Sequence, residues 1–420
     1  MFYYLLFVVL LLINFKTFTS TPLWDIDRFV GAPVALFGIQ QFVVAPRRAS
    51  VIRRWVLCFF IMGLVSNYTS MTFYKQSFVD GIVASLNFYM VFGLIPLTII
   101  INHIKLKEKS FERVIVVLMW LNLLIKVFIL AFHIKYSFTS YFTGSEKGLD
   151  GRSFPGNLIS LGIFYYFIKY IRTKNIRYGL FSVLFLLGPN IFEFQRMDFA
   201  VAGLIMMFLL FKDFKKNAGI IATSIVIIIL IIVIALQFFY QYLAPYFSYF
   251  EEALKIFDDQ SHVNDSSTAA RVVQYQYFLS RAFENPIFGL GIPRPGAKAA
   301  VFAGGQPFNY ADMGILGIYF THGVIGVIVF IFQLNYVKKL YAQVKNSGLI
   351  VLCLYFYMAY LAIWSLGTGY IFHYAHLFIT LIVFINYFKK REDAAKAAAA
   401  ERQAEINAQL ELAGAVTTTV

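Results

Sequence analysis

Long runs of apolar residues alternate with short polar connections along most of the chain. Each run approaches the roughly 20 residues that an α-helix needs to cross a bilayer, and each is bounded by Lys/Arg clusters or by Gly, Pro or Asn. The runs lie at 2–15, 29–45, 55–74, 79–101, 111–133, 156–171, 178–194, 198–211, 218–238, 313–333, 348–366 and 368–388. The pattern predicts an all-α, polytopic integral membrane protein with about 12 transmembrane helices.

The longest polar connection, 239–312, separates the ninth run from the tenth and predicts short helices of its own. Asp265-Ser266-Ser267-Thr268 is typical of a helix N-terminus. The apolar positions that follow are Val272, Tyr275, Leu279 and Ala282. This stripe predicts an amphipathic helix that rests on the bundle or on the bilayer surface and ends at Asn285-Pro286.

Composition excludes several classes of protein. Only 14% of the 420 residues are charged, whereas about 25% is usual for a soluble domain. A soluble enzyme, a disordered chain and a nucleic-acid-binding module are therefore excluded. The two cysteines, Cys58 and Cys353, lie inside apolar runs without metal-ligand spacing, so we expect neither a metal site nor a cofactor.

The distribution of Lys and Arg predicts the orientation in the membrane. Of the formal net charge of +14, most comes from compact basic clusters in alternate connections, which hold 20 Lys and Arg against 12 in the other set. The richer set is expected to be cytoplasmic, which places both termini inside and the long connection outside. The predicted organisation is helices 1–9 at 1–238, an outer-face catalytic loop at 239–312, helices 10–12 at 313–390 and a cytoplasmic Ala/Glu-rich tail at 391–420.

Three short motifs resemble a known family. Arg271 with Tyr275 four residues later, followed by Asn285-Pro-Ile-Phe-Gly289-Leu-Gly291, resembles the outer-face loop of the bacterial O-antigen polymerase and O-antigen ligase superfamily. Gln195-Arg196 is similar to a Ser-Arg pair that the family often has at the outer end of an upstream helix hairpin, with Gln in place of Ser. The segment from Asp312 to Gly323-Val-Ile-Gly326 is similar to the family's re-entry into the membrane. The resemblance covers roughly 190–330.

The resemblance implies a metal-independent, inverting glycosyltransferase of the bacterial inner membrane with a periplasmic active site. Donor and acceptor would both be undecaprenyl-diphosphate-linked oligosaccharides within the membrane lipids. A chain-length regulator of the polysaccharide is a possible protein partner, and no nucleic acid is expected to bind. Ligases of the superfamily carry histidine where this chain has Asp312, which favours a polymerase. The alternatives are a ligase that delivers the glycan to a lipid A core and a transporter or flippase for such lipids.

The expected chemistry assigns roles to five residues. Arg196, Arg271 and Arg294 would bind the diphosphate, because guanidinium groups bind phosphate oxygens bidentately. Asp312, and after it His322, would activate the acceptor hydroxyl.

Each assignment has a simpler alternative. Arg196 could snorkel to the interface or pair with Glu193 or Asp198. Arg294 could be a solvated turn residue. Asp312 could be the N-cap of a helix that starts at Met313. In the catalytic interpretation, Gly314 and Gly317 would leave room for a sugar beside that helix.

Overall fold

The chain folds into helices throughout the part that the computed structural model describes, residues 2–14, 24–44, 50–131, 157–190, 196–212, 219, 266–294, 310–367, 372 and 375–417. These residues form no strand, which confirms the predicted all-α class. The helices are α1 Phe2–Asn14, α2 Trp24–Val44, α3 Ser50–Tyr74, α4 Phe78–Ala84, α5 Leu86–Tyr89, α6 Leu94–His103, α7 Glu108–Ala131, α8 Asn157–Thr173, α9 Ile176–Asn190, α10 Arg196–Lys212, α11 Ser266–Arg281, α12 Ile315–Val344, α13 Leu349–Gly367 and α14 Ala375–Thr417.

Four stretches within the described ranges are long and apolar enough to cross a membrane. They are Ile52–Tyr74, Leu86–His103, Ile315–Val344 and Leu349–Gly367. Shorter apolar helices at Pro33–Val44, Ile176–Gly188 and Ala200–Phe211 also coincide with predicted runs. The chain is thus an integral membrane protein. Apart from Gly219, the run at 218–238 lies outside the described residues, and the total of about 12 spans stays a prediction.

Helix α13 lies at the centre of the described bundle. It packs against α8, α10, α12 and α14, and 78% of its apolar window is buried. A helix that is apolar on every side is stable only where other helices or lipid surround it. Helix α12, which carries the predicted site residue His322, is therefore one of the helices that bury α13.

The run at 79–101, predicted as one span, is broken into α4, α5, a 3₁₀ turn at Met90–Gly93 and α6. Pro96 explains part of the break, because its missing N–H leaves the Phe92 carbonyl without its helical donor. Gly38 of α2 packs directly against that carbonyl, so closely that a Cβ at position 38 would clash with it. The prediction of a continuous helix was wrong because it ignored this close contact with α2.

Most of the Ala/Glu-rich tail is helical and continues directly from the apolar part of α14, which runs unbroken from Ala375 to Thr417. Arg391 fixes the point at which the helix leaves the bundle. Its Nη1 donates to the carbonyls of Lys105, at 2.9 Å, and Leu106, at 2.7 Å. These carbonyls lie just beyond the C-terminal end of α6, where a cation complements the helix dipole.

Candidate functional site

Helix α12 is broken at Gly323, within the re-entry motif. This glycine has φ 61° and ψ −157°, so the helical hydrogen-bond ladder stops there. In an unbroken helix the amides of Val324 and Ile325 would donate to the carbonyls of Phe320 and Thr321. The break frees all four groups inside an apolar bundle, where each needs another partner.

The loop after α11 supplies those partners, and we call residues 285–292 with 320–325 the loop–helix junction. Its bonds are Val324 N–H to Pro286 O (2.8 Å), Ile325 N–H to Ile287 O (3.3 Å), Leu290 N–H to Phe320 O (2.8 Å) and Gly291 N–H to Thr321 O (3.0 Å). Four bonds between loop and helix thus replace two bonds within the helix. The junction joins two of the three motifs that carry the family resemblance.

Three glycines make this close approach possible. Gly289, Gly291 and Gly323 all have φ between 61° and 81°, a conformation that other residues adopt only with strain. A Cβ at Gly289 or Gly323 would lie under 3.0 Å from backbone atoms across the junction. The glycines of the motif are therefore explained by backbone packing.

The other side of the loop is attached to α3 and to the turn after it. Ile292 N–H donates to Ser66 Oγ at 3.0 Å. Gln76 holds the end of the loop from both directions: its Nε2 donates to Ile292 O at 3.2 Å, and its Oε1 accepts from Arg294 N–H at 3.0 Å. Ser66 and Gln76 were not predicted, because they lie more than 200 positions from the motif and nothing in the sequence around it indicates that they contact the loop.

We expect Gln76→Leu to destabilise the protein by about 1–2 kcal/mol, because the Ile292 carbonyl and the Arg294 amide both lose their partner. Gln276→Leu is the matched control, since Gln276 is exposed on α11. Thermal unfolding in detergent measures both variants. Equal melting temperatures for the two variants would contradict the role assigned to Gln76.

Arg294 forms an ion pair with Asp80 of α4, with 45% of the Arg294 side chain exposed. Ser77 and the Arg294 guanidinium hold the pKa of Asp80 below its usual range. The ion pair is consequently intact at neutral pH and is lost only as pH falls through this lowered pKa. Arg294 is thus neither an isolated cation nor only a solvated turn residue, and a diphosphate would have to share it with Asp80.

Helix α11 packs on α12 through Phe278, and the predicted apolar stripe is divided between a buried and an exposed face. Phe278 contacts the rings of Tyr319 and Phe320, with centroids 6.3 and 6.0 Å apart. Gln274, Phe278 and, in the turn after the helix, Ala282 are buried, whereas Tyr275 and Leu279 are exposed. The predicted amphipathic helix is confirmed and ends at Arg281, just before Asn285-Pro286.

Arg196 and Arg271 are placed by their helices only. Arg196 is the first residue of α10, as expected for the end of a helix pair. Arg271 lies in the first half of α11, about two turns before Phe278, which is on the half that packs against α12. Both side chains lie outside the described part, so their convergence on one diphosphate stays a prediction.

Asp312 lies in the 3₁₀ turn Tyr310–Met313, directly before α12. The N-cap of α12 is Gly314 and not Asp312, so the capping alternative was wrong. The space expected beside the two glycines is also filled. A Cβ at Gly314 would clash with the Gly367 carbonyl, and one at Gly317 with the Tyr310 carbonyl.

His322 is the last residue before the break in α12, and 3% of it is exposed. Its ring lies between Phe88 and Phe372, with centroids 5.2 and 5.4 Å away. The backbone of His322 borders the junction, but its imidazole is enclosed by aromatic rings. An acceptor sugar would have to displace one of them to reach it.

The loop that leads to Arg294 thus meets α12 at His322, and Asp312 lies in the turn directly before α12. Residues 181–331 match the model of a protein family described as O-antigen ligase. This match confirms the resemblance of the motifs to the O-antigen ligase/polymerase superfamily. The matched segment includes all five predicted site residues and the whole loop–helix junction. No curated protein matches the chain significantly.

Proposed function

We propose that this protein is a surface-polysaccharide polymerase. It transfers a growing glycan from its undecaprenyl-diphosphate carrier to the non-reducing end of a lipid-linked repeat unit. The observation that supports the proposal is the O-antigen ligase domain at 181–331, with Asp312 where ligases of the superfamily carry histidine. The enzyme would work in the bacterial inner membrane, with the site on the periplasmic face and both termini in the cytoplasm.

In glycosyl transfer from a lipid diphosphate, the group whose negative charge needs stabilisation is the leaving group. The acceptor hydroxyl attacks the anomeric carbon, the bond between that carbon and the diphosphate oxygen breaks, and negative charge develops on that oxygen. Arg196 and Arg271 are suited to stabilise this charge, because a guanidinium stays protonated and donates two parallel hydrogen bonds to phosphate oxygens. Arg294 would contribute while remaining paired with Asp80.

Arginine cannot accept the proton of the acceptor hydroxyl. Asp312 is the better candidate for that role, since its backbone lies in a turn outside the regular part of α12 and does not occupy the N-cap position. His322 is the weaker candidate because it is buried between two phenylalanine rings. Cations near Asp312 would keep it ionised and make it a weak base, so its contribution would be mainly to orient the hydroxyl.

The proposal is tested with purified protein in proteoliposomes and one lipid-diphosphate-linked repeat unit. A polymerase yields a ladder of products from this single substrate. A ligase yields product only when a lipid A core is added, and a flippase moves the lipid without any covalent change. Either of the last two results contradicts the proposal.

Asp312→Asn in the same assay tests the assigned base. We expect turnover to fall about 10²-fold with unchanged thermal stability, because the substitution removes the charge and keeps the shape of the side chain. Full activity of the variant would exclude Asp312 from proton transfer.

A further inference from the structure

Helix α11 and the turn that follows it carry three parallel stripes of side chains, each with a spacing of four residues; Ala282, Phe283 and Glu284 lie in that turn. Gln274, Phe278 and Ala282 are buried against the bundle, whereas Tyr275, Leu279 and Phe283 are apolar and exposed. The third stripe is polar and exposed, and it consists of Gln276, Ser280 and Glu284. At 100° per residue the three stripes follow one another around the helix, so the exposed apolar stripe lies between the buried and the polar one.

The exposed apolar surface does not end with the helix. Ile287 and Phe288 of the loop extend it with 57% and 42% exposure. The loop–helix junction then joins it to α12, because the amides of Val324 and Ile325 bond to the carbonyls of Pro286 and Ile287.

The face of α12 reached in this way is itself apolar and exposed. Its members are Val324, Ile325, Ile328, Ile331 and Phe332. This helix is long and apolar enough to cross a membrane, so its exposed apolar face is expected to contact lipid. The apolar surface of α11 and the loop is therefore continuous with a lipid-facing surface.

We propose that α11 lies in the plane of the membrane surface and inserts Tyr275, Leu279, Phe283, Ile287 and Phe288 among the lipid acyl chains. The partner of this surface is the bilayer itself. With 16 residues, α11 is too short to span a bilayer, and its separate apolar and polar stripes are the pattern of a helix that lies in the interface. The polar stripe then faces water.

The charged residues beside the apolar surface indicate which interactions would hold that surface in the membrane. Arg281 donates to both carboxylate oxygens of Glu284, at 2.8 and 2.9 Å, and to the hydroxyl of Tyr277 at 2.9 Å. Arg294 is paired with Asp80. Because these cations are already neutralised by carboxylates, insertion depends on apolar contact and not on anionic lipid headgroups. The loop that ends α11 is thereby held at a fixed depth relative to α12.

Fluorescent probes at single cysteines test this arrangement in the full-length protein. Leu279→Cys and Phe283→Cys report on the apolar stripe, and Gln276→Cys and Ser280→Cys are the matched controls from the polar stripe. The background carries Cys58→Ser and Cys353→Ala, with native helix content checked by circular dichroism. Each variant is labelled with an environment-sensitive dye and placed in nanodiscs of phosphatidylcholine, with or without phosphatidylglycerol.

We expect lipids with a spin label on the acyl chain to quench the dyes at 279 and 283 several-fold more than those at 276 and 280, equally in both lipid compositions. Aqueous iodide should show the reverse order. Equal quenching by iodide at all four positions would overturn the proposal. So would protection of 279 and 283 from both quenchers, since protein would then cover the stripe. Quenching that requires phosphatidylglycerol would overturn the apolar basis of insertion.

Discussion

Gly323→Ala is expected to prevent accumulation of folded protein. The new Cβ would clash with the carbonyls of Pro286 and Ile287, and alanine at φ 61° adds about 1–2 kcal/mol of backbone strain. Loss of the junction hydrogen bonds adds about 1 kcal/mol each. With four junction bonds lost, the total of roughly 5–6 kcal/mol is a large part of the about 5–15 kcal/mol that stabilises a typical protein.

Gly203→Ala is the matched control for this substitution. Gly203 lies inside α10, and a Cβ there would meet nothing within 4 Å, so alanine should be neutral or stabilise the helix slightly. Yield and thermal unfolding of the two variants measure the difference. If Gly323→Ala accumulates and melts like the unmodified protein, the loop does not hold α12 in the arrangement described.

Replacing Arg271 or Arg196 with alanine is expected to lower turnover by at least about 10²–10³-fold, the usual effect of removing one donor to a developing oxyanion. Lysine should restore little activity, because it lacks the bidentate geometry of a guanidinium. The rate of glycan transfer per mole of folded protein is the measurement.

Arg177→Ala controls for the loss of a surface cation, since Arg177 is exposed at the opposite end of α9 from α10. Thermal unfolding of all variants shows whether they remain folded. If Arg196→Ala and Arg271→Ala both polymerise normally, these residues do not bind the diphosphate, and the snorkelling alternative stands for Arg196.

Hydropathy predicted the positions of the described helices well, but it did not determine which side of α11 is buried. In a soluble protein an apolar residue on an amphipathic helix is normally on the buried face. Beside a membrane this rule does not distinguish the two faces, because lipid-facing side chains are as apolar as buried ones. The sequence therefore left open whether Tyr275 and Leu279 face the bundle or the bilayer, and it gave no sign that the polar Gln274 is buried.

The glycines were found from the sequence, but their role was not. Gly314 and Gly317 were expected to leave space for a sugar, and both instead permit close backbone contact, as small residues do between membrane helices. Asp80 and Gln76 were missed because only the folded chain brings them to Arg294. The superfamily motifs were recognised because their residues are close in sequence.

The most direct test of glycosyl transfer from a lipid diphosphate is to measure how much undecaprenyl diphosphate the reaction releases. Purified protein is incubated with the lipid-linked repeat unit, and free undecaprenyl diphosphate and new glycosidic bonds are counted in the same sample, with and without a metal chelator. The proposed reaction releases one undecaprenyl diphosphate for each bond formed, and the chelator leaves the rate unchanged. Polymer formation without equimolar release of diphosphate, or release of a monophosphate in its place, would contradict the account.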